Sequence, residues 1–142
     1  ILELTESCKV SDPNGLRDDF EYFKNMGINM ALDDFGTEYS SIALLRKLKP
    51  QWIKIDHTFV RSIQDDEMDQ AILEYIMNLS KQTRIKVCVE GVENKEILSV
   101  VQTYKPELLQ GYYYSRPCPA EEFSKKYFNG KDKTGSYGCL KK

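Results

Sequence analysis

Two adjacent carboxylates, Asp33 and Asp34, follow directly on an apolar run in the stretch ALDDFGTEYSS, Ala31 to Ser41. Neighbouring acids repel, and burying either one unpaired costs on the order of several kcal/mol. Polar groups of this kind recur near the end of almost every short apolar run: Glu3, Lys54 and Asp56, Glu90, and Gln110. Carboxylates without accompanying pairs of cysteine or histidine are hard oxygen donors, suited to Mg2+ or Mn2+ rather than to zinc or copper. Two adjacent aspartates can divide between two ions, with one carboxylate bridging them. Paired ions about 3.5–4 Å apart are common machinery for in-line hydrolysis of a phosphodiester. Lys54 adds fixed positive charge where anionic substrate and transition-state charge would gather.

Taken singly, each of these residues has a plainer explanation. Asp33 and Asp34 can cap the segment that follows them. Lys54 lies between Ile53 and Ile55, so strand alternation points it away from both, into a barrel or into solvent. Glu3, Glu6, Glu90 and Glu93 are each ordinary surface acids, and Gln110 alone carries no information. His57, the only histidine, follows KID and reads as a loop residue rather than a base. The chemical argument rests on the set and its recurrence at strand ends.

The elements that must position this set alternate. Leu2–Thr5 reads as the end of a strand, and SDPNG, Ser11 to Gly15, as a helix entry with Asp12 capping and Pro13 first. Leu16, Phe20, Phe23 and Met26 then mark an amphipathic helix that Gly27 stops. Ile28–Leu32 is a short strand ending at the acid pair. Ser40–Lys49 is helical, with Ile42, Leu45 and Leu48 on its apolar side, and Pro50 ends it. Trp52–Asp56 is the next strand. Met68, Ile72, Tyr75 and Leu79 form the apolar stripe of a helix from about Asp66 to Gln82. Ile85–Glu93 is a fourth strand, followed by a helix holding Ile97, Leu98 and Val101. Glu107–Ser115 is a fifth strand with its exit loop, and a last helix runs from Pro119 or Ala120 to Phe128. Residues 129–142 are polar and glycine-rich and are expected to form a mobile tail.

Five strand–helix repeats with short connections predict a parallel sheet covered by helices. An open doubly wound sheet and a (β/α)₈ barrel both begin this way. No GxGxxG or GxxxxGK[ST] loop follows any strand, and the polar residues collect at strand C-termini, as at the mouth of a barrel. The expected fold class is therefore α/β: a partial TIM-like barrel of about five consecutive β-α units.

Composition bounds the partners. The chain has 142 residues, 41% hydrophobic and 30% charged, with a formal net charge of −2. That balance fits one globular domain and gives no support to a nucleic-acid polymer as ligand. No run of 18 apolar residues predicts a membrane span, and ILELTES has neither the basic nor the apolar part of a signal peptide. Cys8, Cys88, Cys118 and Cys139 lack metal-ligand spacing and are expected to be reduced thiols in a cytoplasmic protein, Cys88 as a small buried hydrophobe. The chain starts without methionine inside a strand-like pattern, as expected of a fragment.

ELTES (Glu3–Ser7), LDDFGTEYSS (Leu32–Ser41), IKID (Ile53–Asp56), VEGVE (Val89–Glu93) and QGYYYSRP (Gln110–Pro117) together resemble the EAL domain family, in family order, across about residues 1 to 128. The resemblance implies a TIM-like barrel that hydrolyses cyclic di-GMP to linear pGpG with two Mg2+ or Mn2+ ions. It implies metal ligation by Glu3, Asp33, Asp34 and Glu90. It also implies contact of Lys54 with the attacking water, general-base action of Glu90, and support from Gln110. Glu6 is similar to the acid that steadies the loop after Asp34. That loop, with Phe35 and Gly36 at its start, is associated with metal and substrate binding and with coupling across a homodimer. Arg116 and Pro117 match a segment where guanine contacts are expected.

Departures from the family pattern bear on activity. The E-A-L signature and a further asparagine ligand do not occur in this chain, so the chain alone is expected to be inactive. Glu38 replaces the second glycine of DFGTGYSS, bringing negative charge toward an anionic substrate, and Glu107 takes the place of an aspartate before Gln110. Two readings follow: part of a working phosphodiesterase, cytoplasmic itself or tethered through other domains of its parent, or a degenerate module that binds cyclic di-GMP or a protein partner without hydrolysis.

Overall fold

The computed structural model describes residues 1–5, 13–37 and 41–128. The Asp12 cap, Glu6, Glu38, Cys8, Cys139 and the expected tail at 129–142 lie outside the described residues. Among the described residues five strands alternate with five α-helices: β1 (Leu2–Thr5), α1 (Pro13–Asn25), β2 (Met30–Phe35), α2 (Ser41–Leu48), β3 (Trp52–Ile55), α3 (Glu67–Thr83), β4 (Lys86–Val89), α4 (Lys95–Val101), β5 (Leu108–Leu109) and α5 (Ala120–Tyr127). All four pairings are parallel, and the strands lie in the order β1-β2-β3-β4-β5. A doubly wound sheet reverses its strand order partway, because its helices cover both faces. Sequential order in an all-parallel sheet is the winding of a barrel wall.

Alternation along the strands gives this wall two unlike faces. Leu32, Ile53, Ile55, Val87 and Val89 are buried in one cluster with Phe20, Leu45, Leu48, Leu73, Ile76, Met77, Ile97 and Val101 from the helices. Each such aliphatic side chain contributes about 1.5–3 kcal/mol on burial, so this layer holds the sheet against its helices. Intervening positions face the other way and carry Ala31, Asp33, Lys54 and Cys88. Lys54 pairs in register with Cys88, and Glu90 follows one residue beyond the end of β4.

Several boundaries depart from the sequence pattern, each for a local reason. β2 does not end at Leu32 but continues through the acid pair to Phe35. The buried stripe of α3 is Leu73, Ile76, Met77 and Ser80, whereas Met68 and Tyr75 are exposed. The centre of the face is rotated by about one residue, roughly 100° of helix, from the Met68–Tyr75 row, so that Ile72 and Leu79 pack half-buried at its flank. Ser80 joins it because its hydroxyl donates to the Ile85 carbonyl at 2.6 Å. Met26 lies past the end of α1 and is exposed, and Ile42 is exposed on α2. β4 stops at Val89, since Gly91 adopts φ 73°. β5 has only two residues, because Gly111–Ser115 folds into a turn closed by Tyr114 N–H donating to the Gly111 carbonyl at 3.1 Å.

The helix ends are locally specified. Asp66 accepts from the Met68 and Asp69 amides at the start of α3, and Asn94 accepts from the Ile97 amide at the start of α4. Cys88 is buried as expected, and both it and Cys118 are free thiols.

Candidate active site at the strand ends

The site begins with an irregularity in β2. Leu32 pairs with Ile53 and Phe35 with Ile55, so Asp33 and Asp34 together face the single intervening residue, Lys54. Two residues opposing one make a β-bulge, which re-aims side chains locally. In a regular strand adjacent side chains point to opposite faces, and Asp34 would enter the helix-covered core. Instead Asp34 takes φ 54°, a left-handed conformation that aspartate tolerates better than most residues. Thr37 closes the turn, its amide and hydroxyl donating to the Asp34 carbonyl at 3.3 and 2.9 Å. Phe35 then returns to the core, and Gly36 at φ 103° passes the Phe59 ring where a Cβ would approach to 2.8 Å.

Through this bulge, carboxylate oxygens of Asp33, Asp34 and Glu90 lie within 4.8 Å of one another. Glu90 reaches the group because β4 continues its pairing one step beyond the strand, the Glu90 amide donating to the Ile55 carbonyl at 3.1 Å. Lys54 stands among these acids. Its Nζ lies 2.8 Å from Asp33 Oδ1 and 2.9 Å from Glu90 Oε1, and it donates a hydrogen bond to Glu3 Oε2 at 3.0 Å. The Lys54 side chain is 12% exposed and that of Glu3 45%, so the cluster opens to solvent on the β1 side. Asp33 Oδ1 is buried, and the Lys54 ammonium at 2.8 Å is its partner.

The electrostatics follow from this packing. Burial pulls the Lys54 ammonium down, but Asp33, Glu90 and Glu3 outweigh it and hold the pKa well above the usual lysine range. Asp34 is the acid that Lys54 does not contact. Burial, followed by Asp33 and Asp56, raises its carboxyl above the ordinary 3.8 against weaker opposition from Lys54 and His57.

The donor set fits a hard divalent cation. Three carboxylates with oxygens within 4.8 Å of one another supply only oxygen donors. Glu3 joins the group through Lys54. Gln110 neighbours Glu90 through the backbone, its amide donating to Val89 and its carbonyl accepting from Val92, but its exposed side chain has no hydrogen bond among the described residues. It lines a separate cleft of about 380 Å³ with Arg116 and Pro117, in which the Arg116 guanidinium stacks 4.3 Å above the Tyr112 ring. Glu6 and Glu38 lie outside the described residues.

Two neighbours of the acids, Asp56 and Cys88, lie outside the ligand set that the resemblance implies. Asp56 is 7% exposed and caps the 3-10 turn His57–Phe59, accepting from Thr58 N at 2.9 Å and meeting His57 Nδ1 at 2.8 Å. Burial pushes its carboxyl up, yet the Thr58 and His57 hydrogen bonds prevail and hold it below 3.8. His57 is therefore part of a short helical turn fixed to a buried acid. Gly91, at φ 73°, passes so close to the His57 backbone that a Cβ there would overlap it. Cys88 is the second neighbour. Its alternation with Val87 and Val89 turns it to the acid face, and burial followed by Glu90 pushes its thiol up to about 11. The pattern KVCVE contained that signal, since Cys88 and Glu90 fall on one side of a strand.

Comparison with known proteins gives the site its relatives. The family model for the EAL domain matches residues 1–117. The cyclic di-GMP phosphodiesterase NbdA of Pseudomonas aeruginosa is 35% identical over 129 residues, covering 89% of this chain and 16% of NbdA. The crystal structure of the EAL domain of Mycobacterium smegmatis DcpA matches with a TM-score of 0.84 at 30% identity, covering 92% of this chain and 59% of that one. Klebsiella pneumoniae BlrP1, solved as a manganese and cyclic di-GMP complex, matches with a TM-score of 0.76 at 34% identity, covering 82% of this chain and 30% of that one. The chain thus spans less than two thirds of the length of each.

Proposed function

The chain belongs to the EAL domain family, and from that premise we propose that it carries the metal-holding strands of a phosphodiesterase that converts cyclic di-GMP to linear pGpG. The observation that carries this reading is the convergence of Asp33, Asp34 and Glu90 within 4.8 Å, brought about by the bulge in β2. The metal-bound BlrP1 complex supports a divalent ion, and we assign Mg2+ or Mn2+ on the oxygen-only donor set.

Asp33, Asp34, Glu90 and Glu3 are the side chains that would hold the metal. When bound, such ions polarise a phosphoryl oxygen and lower the pKa of water. Glu90 is the proposed base, accepting a proton from the attacking water. Lys54 is held charged by its three acids and lies where it can offset negative charge that develops at phosphorus. Asp56 fixes His57 and the 3-10 turn behind Asp34. Arg116 and Pro117, in the cleft that Gln110 also lines, are the proposed contacts for a guanine base, with the Tyr112 ring beside them.

The activity is proposed for a complete EAL domain containing this sequence; the 142-residue chain alone is proposed to be inactive, because the resemblance calls for ligands beyond those it carries. The test is an assay of such a domain with cyclic di-GMP and Mn2+ or Mg2+, following pGpG. Turnover is expected, and Asp33→Asn or Glu90→Gln is expected to lower kcat by at least 100-fold, on the order of the loss of a general base. Retained nucleotide binding with no pGpG would favour the non-hydrolysing module, to which Glu38 in the loop lends the one specific observation.

A further inference from the structure

The opposite end of the sheet carries a second concentration of charge. Near the N-terminal ends of β2 and β3, helices α1 and α2 flank a cleft of about 330 Å³ over the buried side chains of Phe20 and Leu48. Arg17 and Lys24 of α1, Arg46 and Lys47 of α2, and Lys49 just beyond it line this cleft, against the single carboxylate of Glu21. Gln51 closes the floor of the cleft, anchored by accepting the Met30 amide at 2.8 Å.

The cations are not there to pair with acids. Arg17 makes only an exposed contact with Asp18 at 3.4 Å, and Lys24, Arg46, Lys47 and Lys49 have no carboxylate within 4.0 Å among the described residues. Complementing helix dipoles accounts for Lys24, Arg46 and Lys47, which occupy last turns. The same holds for Lys49, whose amide closes the last turn of α2 on the Leu45 carbonyl at 3.0 Å, but not for Arg17 in the body of α1. Five like charges around one concave surface repel one another, and in a chain of net charge −2 this arrangement is local rather than a general basic character. A nucleic-acid polymer would need a basic stripe reaching beyond one cleft.

We propose that the cleft between α1 and α2 is a binding site for a phosphate-bearing anion, held by Arg17, Lys24 and Arg46 with Lys47 and Lys49 at its rim. Arginine supplies planar, paired donors for phosphate oxygens, and the lysines supply unpaired positive charge. The site lies at the other end of the strands from the acid cluster and is independent of the metal chemistry proposed there.

The experiment titrates the full 142-residue chain with inorganic pyrophosphate by calorimetry at 150 mM salt, with a chelator present so that divalent ions play no part. Backbone amide NMR locates any shifts. Saturable binding is expected, with shifts confined to α1, α2 and residues 49–51, and with affinity falling at least tenfold in Lys24→Glu/Arg46→Glu. Both substituted side chains are exposed, and the fold of the variant is checked by its amide spectrum. A parallel arm measures sedimentation with phosphatidylserine vesicles, sensitive to the same variant. Pyrophosphate binding alone supports a soluble phosphate ligand, and vesicle binding alone supports a lipid headgroup. Absence of both, or binding unchanged by the double reversal, overturns the proposal.

Discussion

At the C-terminal ends of the strands, Glu3, Asp33 and Glu90 close on one lysine at 2.8–3.0 Å, with Asp34 beside them. At the N-terminal ends, five cations line a cleft that holds one carboxylate. The difference lies less in the number of charges than in their surroundings. The Lys54 side chain is 12% exposed and that of Arg17 52%. A unit pair at about 4 Å is worth about 1 kcal/mol in water and about 4 kcal/mol at the effective dielectric of a protein surface region. At the acid end a single change therefore propagates through several partners. At the basic end each side chain answers mainly to water and salt.

Replacing the shared cation is the strongest way to test that contrast. Lys54→Met leaves three carboxylates facing one another, and the full chain is expected to lose about 3 kcal/mol at neutral pH, typical for breaking a largely buried ion pair. Urea unfolding measures the loss. A deficit below about 1 kcal/mol would make the acid end no more coupled than an exposed pair.

Asp34 gives a smaller, pH-dependent test. Its folded pKa is raised, so its stabilising contribution is complete below the unfolded value of 3.8 and is lost as pH rises through the folded value. Asp34→Asn removes that titration while keeping a residue suited to the left-handed backbone. Relative to the parent, the variant should therefore gain stability as pH climbs above 3.8. A difference that does not change with pH would separate Asp34 from its acidic neighbours.

The smallest effect belongs to the basic end. Lys24→Glu/Arg46→Glu is expected to change stability by no more than about 1 kcal/mol, the lost interaction with the helix C-termini being offset in part by relief of repulsion among the cations, and by less at high salt. A larger change would mean that these cations carry structural weight, and the two ends of the sheet would then differ in sign but not in kind.

Much of the positioning scaffold was legible in the sequence because alternation is a local property. The pattern WIKI places Lys54 opposite to Ile53 and Ile55, and KVCVE places Cys88 with Glu90. The helices are legible too, but only part of the α3 face is: Ile72 and Leu79 pack against the core, whereas Met68 and Tyr75 are exposed. Two neighbouring rows there are both apolar, and only packing against β4 and the 3-10 turn selects Leu73, Ile76 and Met77. Asp56 was visible as a strand-end acid, whereas its bond to His57 depends on a 3-10 turn that no periodicity marks.

The sequence by itself determined the chemical inventory: oxygen donors at strand ends, one interior lysine, and a parallel α/β order. Only the tertiary structure decided that the Asp33 and Asp34 carboxylates lie together. Adjacent residues in a strand diverge unless pairing with a neighbour inserts an extra residue, and that register between β2 and β3 is set by contacts across some 20 residues of intervening chain. A bulge is a property of two strands, so neither strand's sequence contains it.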